Sequence, residues 1–80
     1  MQTVAELFGR TLRELRKERG FSQERLAELT GLSANFVGEM ERGIKAPGLV
    51  VIVRLSRALN VPVRDLLREF TELNVRKVRF

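Results

Sequence analysis

The segment Ser22 to Gly43, SQERLAELTGLSANFVGEMERG, constrains this chain more than any other stretch. Its caps and apolar spacing describe two short amphipathic helices separated by a tight turn. Ser22 is a good N-cap, because a short hydroxyl accepts from the unpaired amides of a first helical turn, and Gln23 to Leu29 places Leu26 and Leu29 on one face. Gly31 stands where the chain must reverse sharply, and glycine enters the positive-φ region there without steric cost. Ser33 caps the second helix, whose inward residues are Val37 and Met40. Ala27, four residues before Gly31, puts a small side chain where the two helices cross.

The flanking sequence is helical as well. A first helix is expected from about Val4 to Arg19, with Phe8, Leu12 and Leu15 at i, i+4 and i+7 forming its inward stripe and Val4 extending it by a turn. Gly20 stops it, and Arg19 suits its last turn. After Gly43, the loop Ile44 to Gly48 leads into a fourth helix, about Leu49 to Leu59, with Leu49, Ile52, Leu55 and Leu59 expected in the core. Gly48 is an acceptable N-cap for it, and Asn60 closes it in a left-handed conformation. Pro62 opens a fifth helix, about Val63 to Phe70, with Leu66, Leu67 and Phe70 apolar. Short connections join all five, so the expected fold is a compact all-α bundle spanning residues 1–70. The tail, residues 71–80, mixes Val, Arg, Lys and Phe without a clean period. It extends helix five, pairs as a strand with a partner chain, or stays mobile, and its three cations in seven residues also allow a non-specific DNA arm.

Eighty residues, 44% of them apolar, suffice for one small core. The chain has no Cys and no His, which removes thiolate redox chemistry, Cys or His metal sites and triad catalysis. Its carboxylates are helix-surface charges with no nucleophile or cleft attached, so no enzyme and no cofactor are expected. The longest uncharged apolar run, Leu49 to Val53, is far too short to span a bilayer, and no signal peptide precedes the first helix. A cytoplasmic, nucleoid-associated protein follows as the expectation. The net charge of +5 and a pI of about 11.1 favour a polyanionic partner.

Helix, glycine turn and capped helix form the plan of the helix-turn-helix, whose second helix enters the major groove of DNA. RELRKERGFSQERLAELTGLSANFVGEMERG, followed by KAPGL and LSRALNVPVRDLL, resembles the lambda repressor and Cro type of helix-turn-helix domain, the Xre family. The resemblance covers about Phe8 to Phe70 and rests on Ser22-Gln23, Leu26-Ala27, Gly31, Ser33, Val37, Met40, Glu41-Arg42-Gly43 and Pro47. It implies a lambda-repressor-like five-helix domain with the motif at helices two and three. It also implies that Ala34, Asn35 and Glu39 face base edges, and that Ser22, Gln23, Arg42 and Lys45 meet DNA phosphates. Gln23 would also brace the recognition helix, and Arg16 and Glu41 would form a structural ion pair between the first and third helices.

The chemistry of these side chains is compatible with those roles. Asn35 can pair bidentately with adenine, Ala34 can rest on a thymine methyl, and Glu39 can accept from cytosine N4. Glu39 is also placed to pair with Arg42 at i+3, and the two alternatives stay open. Phe36 either touches a thymine methyl or sugar, or packs against the start of helix four. The chain departs from the family pattern at Thr30, where a larger apolar residue is usual, and at Gly38 and Gly48, where serine is frequent.

One recognition helix reads few base pairs, so two copies on a two-fold axis are expected. The resemblance puts Val50 and Val51 where the family usually carries polar residues, Val63, Phe70, Val75, Val78 and Phe80 exceed what a small bundle buries, and Val63, Leu67, Phe70, Val75 and Val78 form the expected dimer interface. The leading expectation is a sequence-specific transcriptional regulator, a repressor on a palindromic operator in double-stranded DNA. The alternative is an antitoxin-like or restriction-modification controller protein that also binds a protein partner.

Overall fold

Six helices, among the described residues, build the chain in the computed structural model, which describes residues 2–80. They are α1 (Val4–Glu18), α2 (Gln23–Thr30), α3 (Ala34–Glu41), α4 (Leu49–Leu59), α5 (Val63–Leu66) and α6 (Glu72–Lys77). No named strand occurs among these residues, and none of the helices is long and apolar enough to cross a membrane.

Local chemistry sets most boundaries. The Thr3 hydroxyl accepts from the Glu6 amide at 3.1 Å, and the Glu6 carboxylate accepts from the Thr3 amide at 2.9 Å. This reciprocal pair starts α1. The Ser22 and Ser33 hydroxyls accept from the Arg25 and Phe36 amides, each at 3.0 Å, and start α2 and α3. Gly31 turns the chain between them at φ 75°. Asn60 ends α4 at φ 55°.

The core runs through the first five helices: Phe8, Leu12 and Leu15 of α1, Leu26 and Ala27 of α2, Val37 and Met40 of α3, Leu55 and Leu59 of α4, and Leu66 of α5. At one point backbones meet. A Cβ added to Gly9 would lie 2.1 Å from the Met40 carbonyl oxygen and 2.9 Å from that of Glu41. Glycine is what lets α1 and α3 cross this closely.

Several sequence expectations need correction. The bundle has six helices rather than five. The fifth stops at Leu66, because the Thr71 hydroxyl accepts from the Asn74 amide and opens a separate helix, while the Asn74 side chain donates to the Glu69 carbonyl at 2.7 Å. The tail therefore holds α6, after which Arg79 donates to the Gln2 carbonyl at 2.9 Å and accepts from the Val4 amide at 2.8 Å. These bonds make an isolated parallel bridge between Thr3 and Arg79. Leu29 is 42% exposed, since α2 buries Leu26, Ala27 and Thr30 instead. Leu49, in the first turn of α4, is 73% exposed, whereas Val51 is half-buried against the core. Thr30 is buried, and its hydroxyl donates to the Leu26 and Ala27 carbonyls at 2.8 and 3.1 Å, so a polar atom sits there at little cost.

Candidate nucleic-acid interface

The Glu41 carboxylate lies at the C-terminal end of α3 with its side chain only 2% exposed. Arg16 of α1 grips it with two bonds, Nε to Oε2 at 2.6 Å and Nη2 to Oε1 at 3.0 Å. The remaining guanidinium nitrogen, Nη1, donates to the Phe21 carbonyl at 2.7 Å. Gln23, at the start of α2, donates through Nε2 to Glu41 Oε1 at 3.1 Å. A forked guanidinium on a carboxylate fixes direction as well as distance. The network ties α1, the α1–α2 loop, α2 and α3 to one point. Hydrogen bonding to Glu41 holds the Arg16 guanidinium above its ordinary pKa, outweighing the desolvation that opposes it.

Gln23 and Arg42 also converge above Gly38. A Cβ there would lie 3.0 Å from Arg42 Nη1 and 3.5 and 3.7 Å from the two Gln23 amide atoms. The missing side chain leaves room for both polar groups to lie on α3. Ser22 is next to Gln23 in sequence, and its hydroxyl, although it already accepts from the Arg25 amide, keeps its own hydrogen to donate.

Along α3, Asn35 is exposed, while Ala34 and Phe36 are half-buried and pack on the edge of the core. Packing thus accounts for Phe36. Glu39 does not pair with Arg42: its Oε1 lies 3.7 Å from Lys45 Nζ. The residues assigned to phosphate split accordingly. Arg42 makes no ion pair among the described residues, and Lys45 is already engaged.

The residues expected at a dimer interface do not form one open face. Val63, Leu67, Phe70 and Val78 are half-buried, and Leu67 and Phe70 pack on the core. Val78 lines a cavity of about 400 Å³ with Gln2, Leu7, Asn74 and Lys77, and Val75 is exposed. The large apolar side chains that remain exposed are Leu73, Val75 and Phe80 in the tail, and Ile44, Leu49, Val50 and Val53 at and before α4.

Two positioning features went unread in the sequence. The Thr3-x-x-Glu6 cap carries an obvious signature. Arg54, whose Nη1 donates to the Thr30 carbonyl at 3.2 Å and so binds α4 to the end of α2, carries none.

Residues 12–66 match the helix-turn-helix family HTH_3. The chain belongs to that family. The restriction-modification controller protein C.AhdI from Aeromonas hydrophila superposes with a TM-score of 0.75 at 47% identity, over 78% of this chain and 94% of its own. The transcriptional regulator SutR of Escherichia coli is 39% identical over 62 residues, which are 78% of this chain but 35% of SutR. YazB of Bacillus subtilis, an uncharacterized helix-turn-helix transcriptional regulator, is 37% identical over 62 residues, 78% of this chain and 90% of YazB.

Proposed function

We propose that this helix-turn-helix, DNA-binding transcriptional regulator acts as a homodimeric repressor on a palindromic operator, with α3 in the major groove. The observation that carries the assignment is the convergence of Gln23 and Arg42 over Gly38 beside an exposed Asn35. It supplies phosphate-seeking donors at the edge of a helix that carries a base-reading amide. Asn35 pairs with adenine, Ala34 meets a thymine methyl and Glu39 accepts from cytosine. Ser22, Gln23 and Arg42 hold phosphates and set the register without reading sequence, and Lys45 adds a further phosphate contact. The protein works in the cytoplasm on the nucleoid.

Selection of a random duplex library at about physiological salt tests this. The expected product is a palindrome with half-sites about one helical turn, 34–36 Å, apart. Asn35→Ala should relax one position of the motif, whereas Arg42→Ala should weaken every sequence and reduce the salt slope by about 1. Enrichment of no motif would sink the specific assignment.

The dimer is proposed through α5 and the tail, with Val63, Leu67, Phe70, Val75 and Val78 contributing and the exposed Leu73 and Phe80 adding apolar area. A chain ending at Phe70 that stays fully dimeric at micromolar concentration would exclude the tail. A second assignment, a restriction-modification controller, is favoured by the likeness to C.AhdI over 94% of that chain. It is tested by whether the selected motif lies upstream of this chain's own gene beside a restriction enzyme.

A further inference from the structure

Glu39 is an acid on a surface that meets phosphates, and its partner is fixed by backbone geometry. Its carbonyl oxygen accepts from the amides of both Ile44 and Lys45, at 2.9 and 3.4 Å. The chain reverses between them at Gly43, where φ is +73°. A Cβ on Gly43 would lie 2.5 Å from Glu6 Cγ and 2.8 Å from Glu6 Cα, so the turn is wedged against α1 and has little freedom to drift. The start of the Lys45 side chain is thereby held next to Glu39, and its ammonium reaches the carboxylate at 3.7 Å. Arg42, nearer in sequence, lies over Gly38 instead. Of the two cations that follow α3, one is unpaired among the described residues and one is held.

We propose that Glu39 is a specificity-determining latch on Lys45, which releases that cation to a DNA phosphate when the carboxylate finds a base-edge amino donor, cytosine N4 first and adenine N6 second. The inference rests on α3 reading base edges. Cytosine N4 offers a donor in the major groove with no acceptor of its own there, adenine N6 offers one beside the N7 acceptor, and a carboxylate engaged by such a donor no longer needs the ammonium. Guanine O6 or thymine O4 offers an acceptor, which repels the carboxylate and leaves it on Lys45. One side chain then couples base identity to backbone engagement. The wrong sequence loses a base contact and a phosphate contact together.

Lys45 is 58% exposed and Glu39 21%, and at 3.7 Å the pair is loose enough to exchange its ammonium for another donor. Its consequence is read in counterion release, where each phosphate neutralised adds about 0.9 to the slope of log K against log salt.

The test uses the full chain with two probes: the duplex selected from the random library, and a scrambled duplex of the same length and composition. Salt slopes are measured for the wild type, Lys45→Gln, Glu39→Gln and the double variant. On the selected duplex Lys45→Gln should flatten the wild-type slope by about 0.9 per protomer, and on the scrambled duplex it should leave the slope unchanged. Glu39→Gln frees Lys45 everywhere, so it should steepen the scrambled-duplex slope by about 0.9 per protomer, and the double variant should cancel that gain. Equal flattening of both slopes by Lys45→Gln overturns the latch, because Lys45 then meets phosphate whatever the sequence. So does a scrambled-duplex slope that Glu39→Gln fails to move. If the library enriches no motif, base reading by α3 fails first, and the scrambled-duplex slopes show separately whether Glu39 holds Lys45.

Discussion

Two glycines lie inside helices of this protein, and replacing each by alanine should have opposite effects on stability. In an exposed helix, Gly→Ala gains about 1 kcal/mol through the lost backbone entropy of the unfolded chain. At Gly9 the new methyl would sit 2.1 Å from the Met40 carbonyl oxygen. An ordinary carbon–oxygen contact is about 3.3 Å, so relief needs roughly 1.2 Å of separation between two backbones. Overpacking costs about 1–3 kcal/mol, and a clash with main chain rather than a movable side chain belongs at the upper end. The net loss is about 2 kcal/mol, which for a domain of this size lowers Tm by about 8–16 °C. At Gly38 the nearest atom is Arg42 Nη1 at 3.0 Å, the far end of a long exposed side chain that can swing aside. The helix gain survives, and Tm should rise by about 4–8 °C. The same swing moves Arg42 and crowds Gln23, so the stabilised Gly38→Ala protein should bind DNA more weakly at every sequence. Thermal melts by circular dichroism and fluorescence anisotropy on a labelled duplex measure both effects. A Gly9→Ala protein as stable as wild type would refute the close crossing of α1 and α3. A Gly38→Ala protein with unchanged DNA affinity would refute the role given to Arg42.

Three further outcomes follow from named contacts. Glu41→Ala strands the Arg16 guanidinium, a loss of about 3–5 kcal/mol for a buried pair, so its Tm should fall far below that of Glu39→Ala; equal melting temperatures would contradict the network. The Glu6 carboxyl is held below its ordinary value of 4.5, chiefly by the Thr3 backbone amide and then by the Thr3 hydroxyl. A depressed folded-state pKa means that this stabilisation is complete above 4.5 and is lost as pH falls through the folded value. Glu6→Gln keeps a capping amide without the titration, so its Tm should fall less steeply than the wild type's below that pH. Asn60 sits at φ 55°, where a β-carbon costs about 1–2 kcal/mol without the local bonding asparagine provides, so Asn60→Ala should lower Tm and Asn60→Gly should not.

The starts of α2 and α3 and the stops of α1 to α4 were legible because the chemistry that makes them is local. A cap hydroxyl and the amide it serves lie three residues apart, and a reversing glycine or asparagine needs no distant partner. The fifth helix was misjudged because Leu66, Leu67 and Phe70 share a helical face whether or not the helix continues. What stops it is a competing cap at Thr71 and the Asn74–Glu69 bond, both beyond its apolar pattern. Leu49 and Val51 were misplaced because a period names a stripe and leaves open where a first turn overhangs the core. In the site, side-chain types were legible and pairings less so. Glu39 and Arg42 have good helical spacing, but α3 ends at Glu41 with Arg42 as its C-cap, and the Gly43 turn makes Lys45 the cation that pairs. Gly9 carried no local signal, since its reason lies with Met40 and Glu41 on another helix.

The attachments of α3 are unevenly distributed, and that asymmetry suits a reading helix. Its C-terminal half is held to α1 three times: by the Gly9 contact with the Met40 and Glu41 carbonyls, by the Arg16–Glu41 pair, and by the Gly43 turn against Glu6. Its N-terminal turn has the Ser33 cap and the partial burial of Ala34 and Phe36, which leaves Asn35 projecting. A base-reading amide must be aimed to within about 0.5 Å and 10–20°. For Asn35 in its proposed role, that aim would come from the far end of the helix, carried along two turns. Loosening the far end should therefore degrade sequence discrimination before it degrades folding. Arg16→Lys keeps the charge and loses the fork, and its ratio of operator to scrambled-duplex affinity should fall more than its general DNA affinity does. If Arg16→Lys lowers both affinities by the same factor, the network only stabilises α3, and Asn35 takes its aim from the Ser33 cap alone.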